Sequence, residues 1–136
     1  MSINGFDHVA IITEDAISTA EFYSFTLGLD SGPRPNFDAA GVWLYCKNSP
    51  VLHIVEVQQV PATRGSVDHV AFNASGLESF TSRLIVRGIA YDLRRLPEGL
   101  PCGGAWQLFF DDPNAVRIEV VFPASERPPD GPDTGN

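Results

Sequence analysis

Lysine occurs once in the 136 residues, as Lys47, and cysteine twice, as Cys46 and Cys102. Nine basic residues against 17 acidic ones leave a formal charge of -8 and a pI near 4.6. Such a chain repels a polyphosphate backbone, and its basic residues form no long block, which argues against nucleic-acid binding. The two cysteines make no C-x-x-C pair, so neither a disulfide framework nor a cysteine-based zinc site is indicated; two unpaired thiols in a reducing compartment are expected. No apolar run approaches the roughly 18 residues of a membrane span. The opening Met1-Ser2-Ile3-Asn4 has neither the basic segment nor the apolar stretch of a signal peptide, and a cytoplasmic location is expected.

The hydrophobic share of 43% and the aromatic share of 10% fit one globular domain of ordinary composition. Within it the chain repeats itself. Asp7-His8-Val9-Ala10 recurs as Asp68-His69-Val70-Ala71, 61 residues on from His8 to His69. In the first copy, residues 6–13 read as a strand, and Asp15 is placed to cap a helix over 16–27 that Gly28 closes. Strands are expected over 29–32, 41–46 and 51–57, with Asn48-Ser49-Pro50 as a turn. The second copy runs in parallel: a strand over 67–73, a helix over 76–86 closed by Gly88, and strands over 89–93, 105–110 and 115–122. Asp112-Pro113-Asn114 turns between the last two. The expectation is an α+β fold of two βαβββ modules, about 4–58 and 66–122, forming a curved mixed sheet around a central cavity. One domain spans 1–123, and the Pro- and Gly-rich segment 124–136 reads as a disordered tail.

All three histidines fall in predicted strands, where side chains alternate between faces. His8 shares a face with Phe6, Ala10 and Ile12, and His53 with Val55 and Val57. His69 lies with Val67, Ala71 and Asn73, and Glu119 with Arg117 and Val121, opposite the apolar set Val116, Ile118, Val120 and Phe122. Each polar residue thus stands on the face that the hydrophobic layer does not need. A single strand histidine is more often a packed or partner-bonded residue than a ligand, and Glu119 alone has Arg117, Arg83 or Arg87 as possible ion-pair partners. Their shared position is what points to a metal, because each lies on the first or last strand of its half. Imidazoles with one carboxylate are the donor set of Fe, Mn, Co, Ni or Zn.

The segments Phe6-Asp7-His8-Val9-Ala10, Asp112-Pro113-Asn114-Ala115 and Arg117-Ile118-Glu119-Val120 resemble the vicinal oxygen chelate superfamily over roughly residues 4–122. That group includes glyoxalase I, methylmalonyl-CoA epimerase, extradiol dioxygenases, fosfomycin-thiol transferases and bleomycin-binding proteins. The resemblance carries the family's four ligand positions onto His8, His53, His69 and Glu119. His53 stands where glyoxalases carry Glu and the epimerase Gln, and Ala115 replaces the usual glycine of the turn. The implied cofactor is one divalent ion, and the implied chemistry is lyase or isomerase action on a small substrate chelated through vicinal oxygens. Glu119 then serves as ligand or as catalytic base. Other members of the group imply an Fe(II) dioxygenase using His8, His69 and Glu119, a fosfomycin-type transferase, or a metal-free antibiotic-binding protein. A homodimer is expected by the same resemblance. Trp43, Tyr45, Trp106, Phe109 and Phe110 are candidate pocket walls, and residues 94–104 a candidate lid.

Overall fold

The structure, a computed structural model, describes residues 1, 6, 8–62, 67, 69–98 and 103–129. The elements run β1 (Val9–Thr13), α1 (Ala16–Leu27), β2 (Asp30–Gly32), β3 (Gly41–Cys46) and β4 (Ser49–Glu56). They continue with β5 (Val70–Asn73), α2 (Leu77–Val86), β6 (Asp92–Arg95), β7 (Trp106–Asp111) and β8 (Arg117–Phe122). The β-α-β-β-β order expected from the repeat is therefore present twice, in an α+β fold. The chain divides into two units, Met1–Val67 and Asp68–Asn136. Each holds one four-stranded sheet, ordered β1-β4-β3-β2 in the first and β5-β8-β7-β6 in the second. The first and last strands of a unit pair in parallel, and the remaining pairs are antiparallel.

Local chemistry sets the helix ends. Asp15 is extended and its carboxylate accepts the Ser18 N–H at 3.0 Å, while Glu56, the last residue of β4, accepts the Ala16 N–H at 3.0 Å. Both satisfy donors that the first turn leaves without intrahelical partners. At the other end Gly28 sits at φ 68 and donates to the Ser24 carbonyl at 3.1 Å, a left-handed closure that costs glycine little. Helix α2 starts at Gly76 without a side-chain cap of its own. Glu126 supplies one from 50 residues along the chain, accepting the N–H groups of Gly76 at 2.9 Å and Leu77 at 2.6 Å. Its carbonyl oxygen also accepts the Trp106 indole N–H at 2.9 Å. Glu126, in the segment expected to be a loose tail, is thus tied to the second unit; residues 130–136 lie outside the described residues.

Strand alternation follows the sequence pattern. In the first unit Ile11, Leu44, Leu52 and Ile54 are buried with Tyr23 of α1. In the second, Leu108, Phe110, Ile118, Val120 and Phe122 are buried with Leu77, Phe80 and Leu84 of α2. Each such side chain contributes about 1.5–3 kcal/mol when removed from water. Some boundaries differ from the sequence expectation. The hairpin turn falls at Lys47-Asn48 and not at Asn48-Ser49-Pro50, because Ser49 already pairs with Cys46. Strand β6 begins at Asp92 and not at Ile89, whose N–H instead closes α2 on the Leu84 carbonyl at 2.9 Å. Strand β8 begins at Arg117, since Asp112 gathers the preceding turn by accepting the Asn114 and Val116 N–H groups at 2.7 and 2.8 Å. Ala115 of that turn adopts φ 61.

Candidate functional site

In the first unit the face of the sheet away from α1 carries a column of rings. His53 in β4 stands between Ala10 of β1 and Trp43 of β3 in the ladder. Its imidazole stacks on the Trp43 indole at 3.9 Å and 9° and on His8 at 3.8 Å and 14°. A small residue, Ala10, flanks His53 on the strand that His8 precedes. His53 Nε2 lies 3.2 Å from the Pro50 carbonyl oxygen. The column continues outward, with Phe37 against Trp43 at 6.2 Å and the Arg34 guanidinium 5.0 Å from the Phe37 centroid. Gly41 admits that arginine: a Cβ there would strike the Ile54 carbonyl oxygen and the Arg34 side chain.

The second unit repeats the register with different chemistry. Glu119 in β8 stands between Ala71 of β5 and Phe109 of β7, as His53 stands between Ala10 and Trp43. Glu119 is only 6% exposed, so its carboxylate needs partners in place of water. Gln107 donates from Nε2 to Oε1 at 2.8 Å, and His69 Nε2 lies 3.0 Å from Oε2. The His69 ring meets Phe109 edge-on at 6.2 Å.

The four residues picked out from the sequence thus sit as two pairs, His8 with His53 and His69 with Glu119. Among the described residues no three His, Cys, Asp or Glu groups gather to hold a metal. Two donors bound to one first-row ion at about 2.1 Å and a right angle stand about 3 Å apart, and His69 and Glu119 have that spacing. His8 and His53 do not fit as joint ligands in their stacked arrangement, because the in-plane lone pairs of near-parallel rings do not converge. Glu119 is not paired with Arg117, Arg83 or Arg87 in an ion pair; its partners are His69 and Gln107.

Among the aromatic candidates, Trp43 and Phe109 lie on the histidine-bearing faces. Phe110 does not, being 3% exposed and packed on Phe80 at 6.0 Å. Trp106 shares its strand face with Leu108 and Phe110 and is tied to Glu126. The Tyr45 ring covers Gly32, and its hydroxyl donates to the Pro33 carbonyl. Residues 99–102 of the candidate lid, and Cys102 with them, lie outside the described residues. The ends of that loop are joined by Leu96 donating to Ala105 and Gly104 donating to Leu96, at 2.8 and 3.0 Å. Cys46 is an exposed free thiol. No helix among the described residues is long and apolar enough to cross a membrane. Gln107 was missed by sequence reasoning, although strand alternation places it beside Phe109 on the Glu119 face.

No family model matches the sequence, and no curated protein matches it. Solved structures do. A glyoxylase/bleomycin resistance protein/dioxygenase domain from Frankia sp. EAN1pec aligns with a TM-score of 0.74 at 19% identity, covering 93% of this chain and 96% of that one. A protein from Bacillus anthracis described as of the glyoxalase family aligns at 0.70 and 27% identity, covering 90% and 98%. FosX, a genomically encoded fosfomycin resistance protein from Listeria monocytogenes, aligns at 0.67 and 17% identity, covering 88% and 91%.

Proposed function

Because the chain has the glyoxalase/bleomycin resistance/dioxygenase fold of the vicinal oxygen chelate superfamily, we propose that it is a divalent-metal-dependent enzyme of the glyoxalase type. The reaction is a lyase or isomerase step on a small substrate offering two neighbouring oxygens. His8, His53, His69 and Glu119 are the proposed ligand set, which requires the His8–His53 stack to open when the ion binds, and a homodimer is the proposed assembly. The observation that carries this reading is a buried carboxylate and an imidazole 3.0 Å apart on one sheet face. A bound divalent ion would supply Lewis acidity to a chelated carbonyl, easing removal of the adjacent proton.

Glu119 is the proposed catalytic group. Gln107 holds Oε1 by its amide N–H, which leaves Oε2, on the His69 side, as the oxygen to receive a substrate proton. Phe109 stands directly across the ladder from this buried carboxylate. The low exposure strengthens every polar contact that Glu119 makes.

The His53 stack favours a second reading. If His53 keeps its place between Trp43 and His8, the ligand set reduces to His8, His69 and Glu119. Two histidines and one carboxylate are the donors of non-haem iron(II) dioxygenases. Metal analysis of the protein as purified, and after reconstitution with Fe(II), Ni(II), Zn(II) or Mn(II), tests the shared premise. Failure to take up any of these ions refutes both readings. Turnover of a 2-oxoaldehyde hemithioacetal supports the first, and oxygen consumption with a catechol the second. The variant His53→Ala separates them as well: a loss of metal affinity on the order of 10-fold or more is expected for a fourth ligand, and unchanged affinity for a three-ligand site.

A further inference from the structure

Phe109 faces Glu119 across the β7–β8 ladder, and two guanidinium groups meet its ring. Arg117 lies 5.0 Å and Arg94 5.2 Å from the centroid. The two differ in how their charge is matched. Arg94 is held by Asp92 at 2.6 Å. Arg117 has Asp111 as its ladder neighbour, yet no carboxylate among the described residues forms an ion pair with it. Its half-buried side chain lies over Phe109, toward the Glu119 end of the sheet, and does not cross to Asp111. Glu119 is not its partner either; the contacts of that carboxylate are to Gln107 and His69. A cleft of about 210 Å³ opens beside this guanidinium, lined by Tyr91, Asp92, Phe109, Asp111 and Arg117 among others.

An unmatched guanidinium, pinned on an aromatic face at a cleft, is a fork of donors suited to two oxygens of one anion. Arg94 on the same ring has its charge matched by Asp92, so Arg117 is the guanidinium left to meet an anion. We infer that Arg117, with Phe109 as the floor and Arg94 behind it, is a subsite for an oxyanion borne by the substrate, a carboxylate or a phosphonate. Of the two carboxylates that line the cleft, Asp92 is engaged by Arg94 and Asp111 forms no ion pair with Arg117. This subsite deepens the proposed function and rests on it, because it places the anionic end of the substrate beside Glu119.

The test titrates the full chain at low salt with benzoate, phenylphosphonate and uncharged benzyl alcohol, read by calorimetry. Benzoate and phenylphosphonate distinguish the two oxyanion sources. At least one anion is expected to bind about ten-fold or more tightly than the alcohol, and Arg117→Gln to weaken that anion about ten-fold or more. Arg83→Gln on α2 serves as the control and leaves binding unchanged. Equal binding of the alcohol, no binding of either anion, or undiminished binding by Arg117→Gln overturns the subsite. If Arg117→Gln does not fold, Arg117→Lys decides: about three-fold or greater weakening supports a fork of two donors, and none overturns it. Metal content is measured on the same samples. Arg117 is outside the ligand set, so its variants keep the wild-type metal content. A wild type that takes up no metal defeats the proposed function, while the anion titration still decides the subsite.

Discussion

Replacing Gln107 by leucine removes one donor from the Glu119 carboxylate and preserves much of the side-chain volume on β7. The bond lost is 2.8 Å long and goes to an oxygen on a residue 6% exposed, so water cannot readily replace it. A buried acceptor left without its partner costs about 1–3 kcal/mol, with the upper part of the range for charged groups. The Gln107→Leu variant is therefore expected to unfold about 2 kcal/mol more easily in urea at neutral pH. Part of that loss comes from packing, and a double-mutant cycle separates it. In a Glu119→Gln background the same leucine replacement no longer strands a carboxylate, and a coupling of about 1–3 kcal/mol is expected between the two positions. A coupling below about 0.5 kcal/mol would refute the claim that Gln107 orients Glu119. The metal affinity of Gln107→Leu is a second readout, expected to fall about 10-fold or more if Glu119 is a ligand.

Other perturbations test single elements. Ala115 adopts φ 61, which costs a non-glycine residue about 1–2 kcal/mol, while glycine adds unfolded-state freedom worth about 0.4–1 kcal/mol. Ala115→Gly is thus expected to stabilise the chain by about 0.5–1 kcal/mol in chemical denaturation, and a destabilised variant contradicts the strain. Glu126→Gln keeps an acceptor for the Gly76 and Leu77 N–H groups but removes the charge at the start of α2. A loss of about 0.3–1 kcal/mol, shrinking at high salt, is expected; no loss at low salt counts against this role. Hydrogen bonding from Ser18, first through its backbone N–H, holds the Asp15 carboxyl below its ordinary value. A depressed value means that the contribution is present above the unfolded-state value and is lost as pH falls through the folded-state one. Melting temperature should therefore decline on acidification partly through Asp15, and Asp15→Asn should flatten that part of the profile; an unchanged profile removes Asp15 as a contributor.

Much of the scaffold was legible because the repeat speaks twice. Asp-His-Val-Ala marks the entry to β1 and β5, and Gly28 and Gly88 follow the two helices, so each half corroborates the other's element order. Alternation also placed His53 and Glu119 on the faces away from the helices, whereas His8 and His69, expected within strands, stand just before β1 and β5. Three things were not legible. Ring orientation is a matter of side-chain torsion, so no pattern announced that His53 would lie flat between Trp43 and His8. Gln107 is a neutral residue in an aromatic-rich strand and has no signature until its register with β8 is known. The Glu126 cap spans 50 residues, beyond the reach of local pattern reading. Trp106 and Phe110 show the converse. Their composition suggested a ligand wall, but every second residue of β7 turns inward, and theirs are among those positions.

Both helices begin on a carboxylate that arrives after the sheet has been completed, Glu56 in one unit and Glu126 in the other. The β-α-β-β-β unit is in this sense a closed circuit, its last segment returning to fasten its first crossover. A chain shortened to end at Phe122 would retain every strand and both helices in its sequence, yet its second circuit would stay open at the start of α2. The smallest faithful version of this protein accordingly extends past the final strand, to residue 126 or beyond.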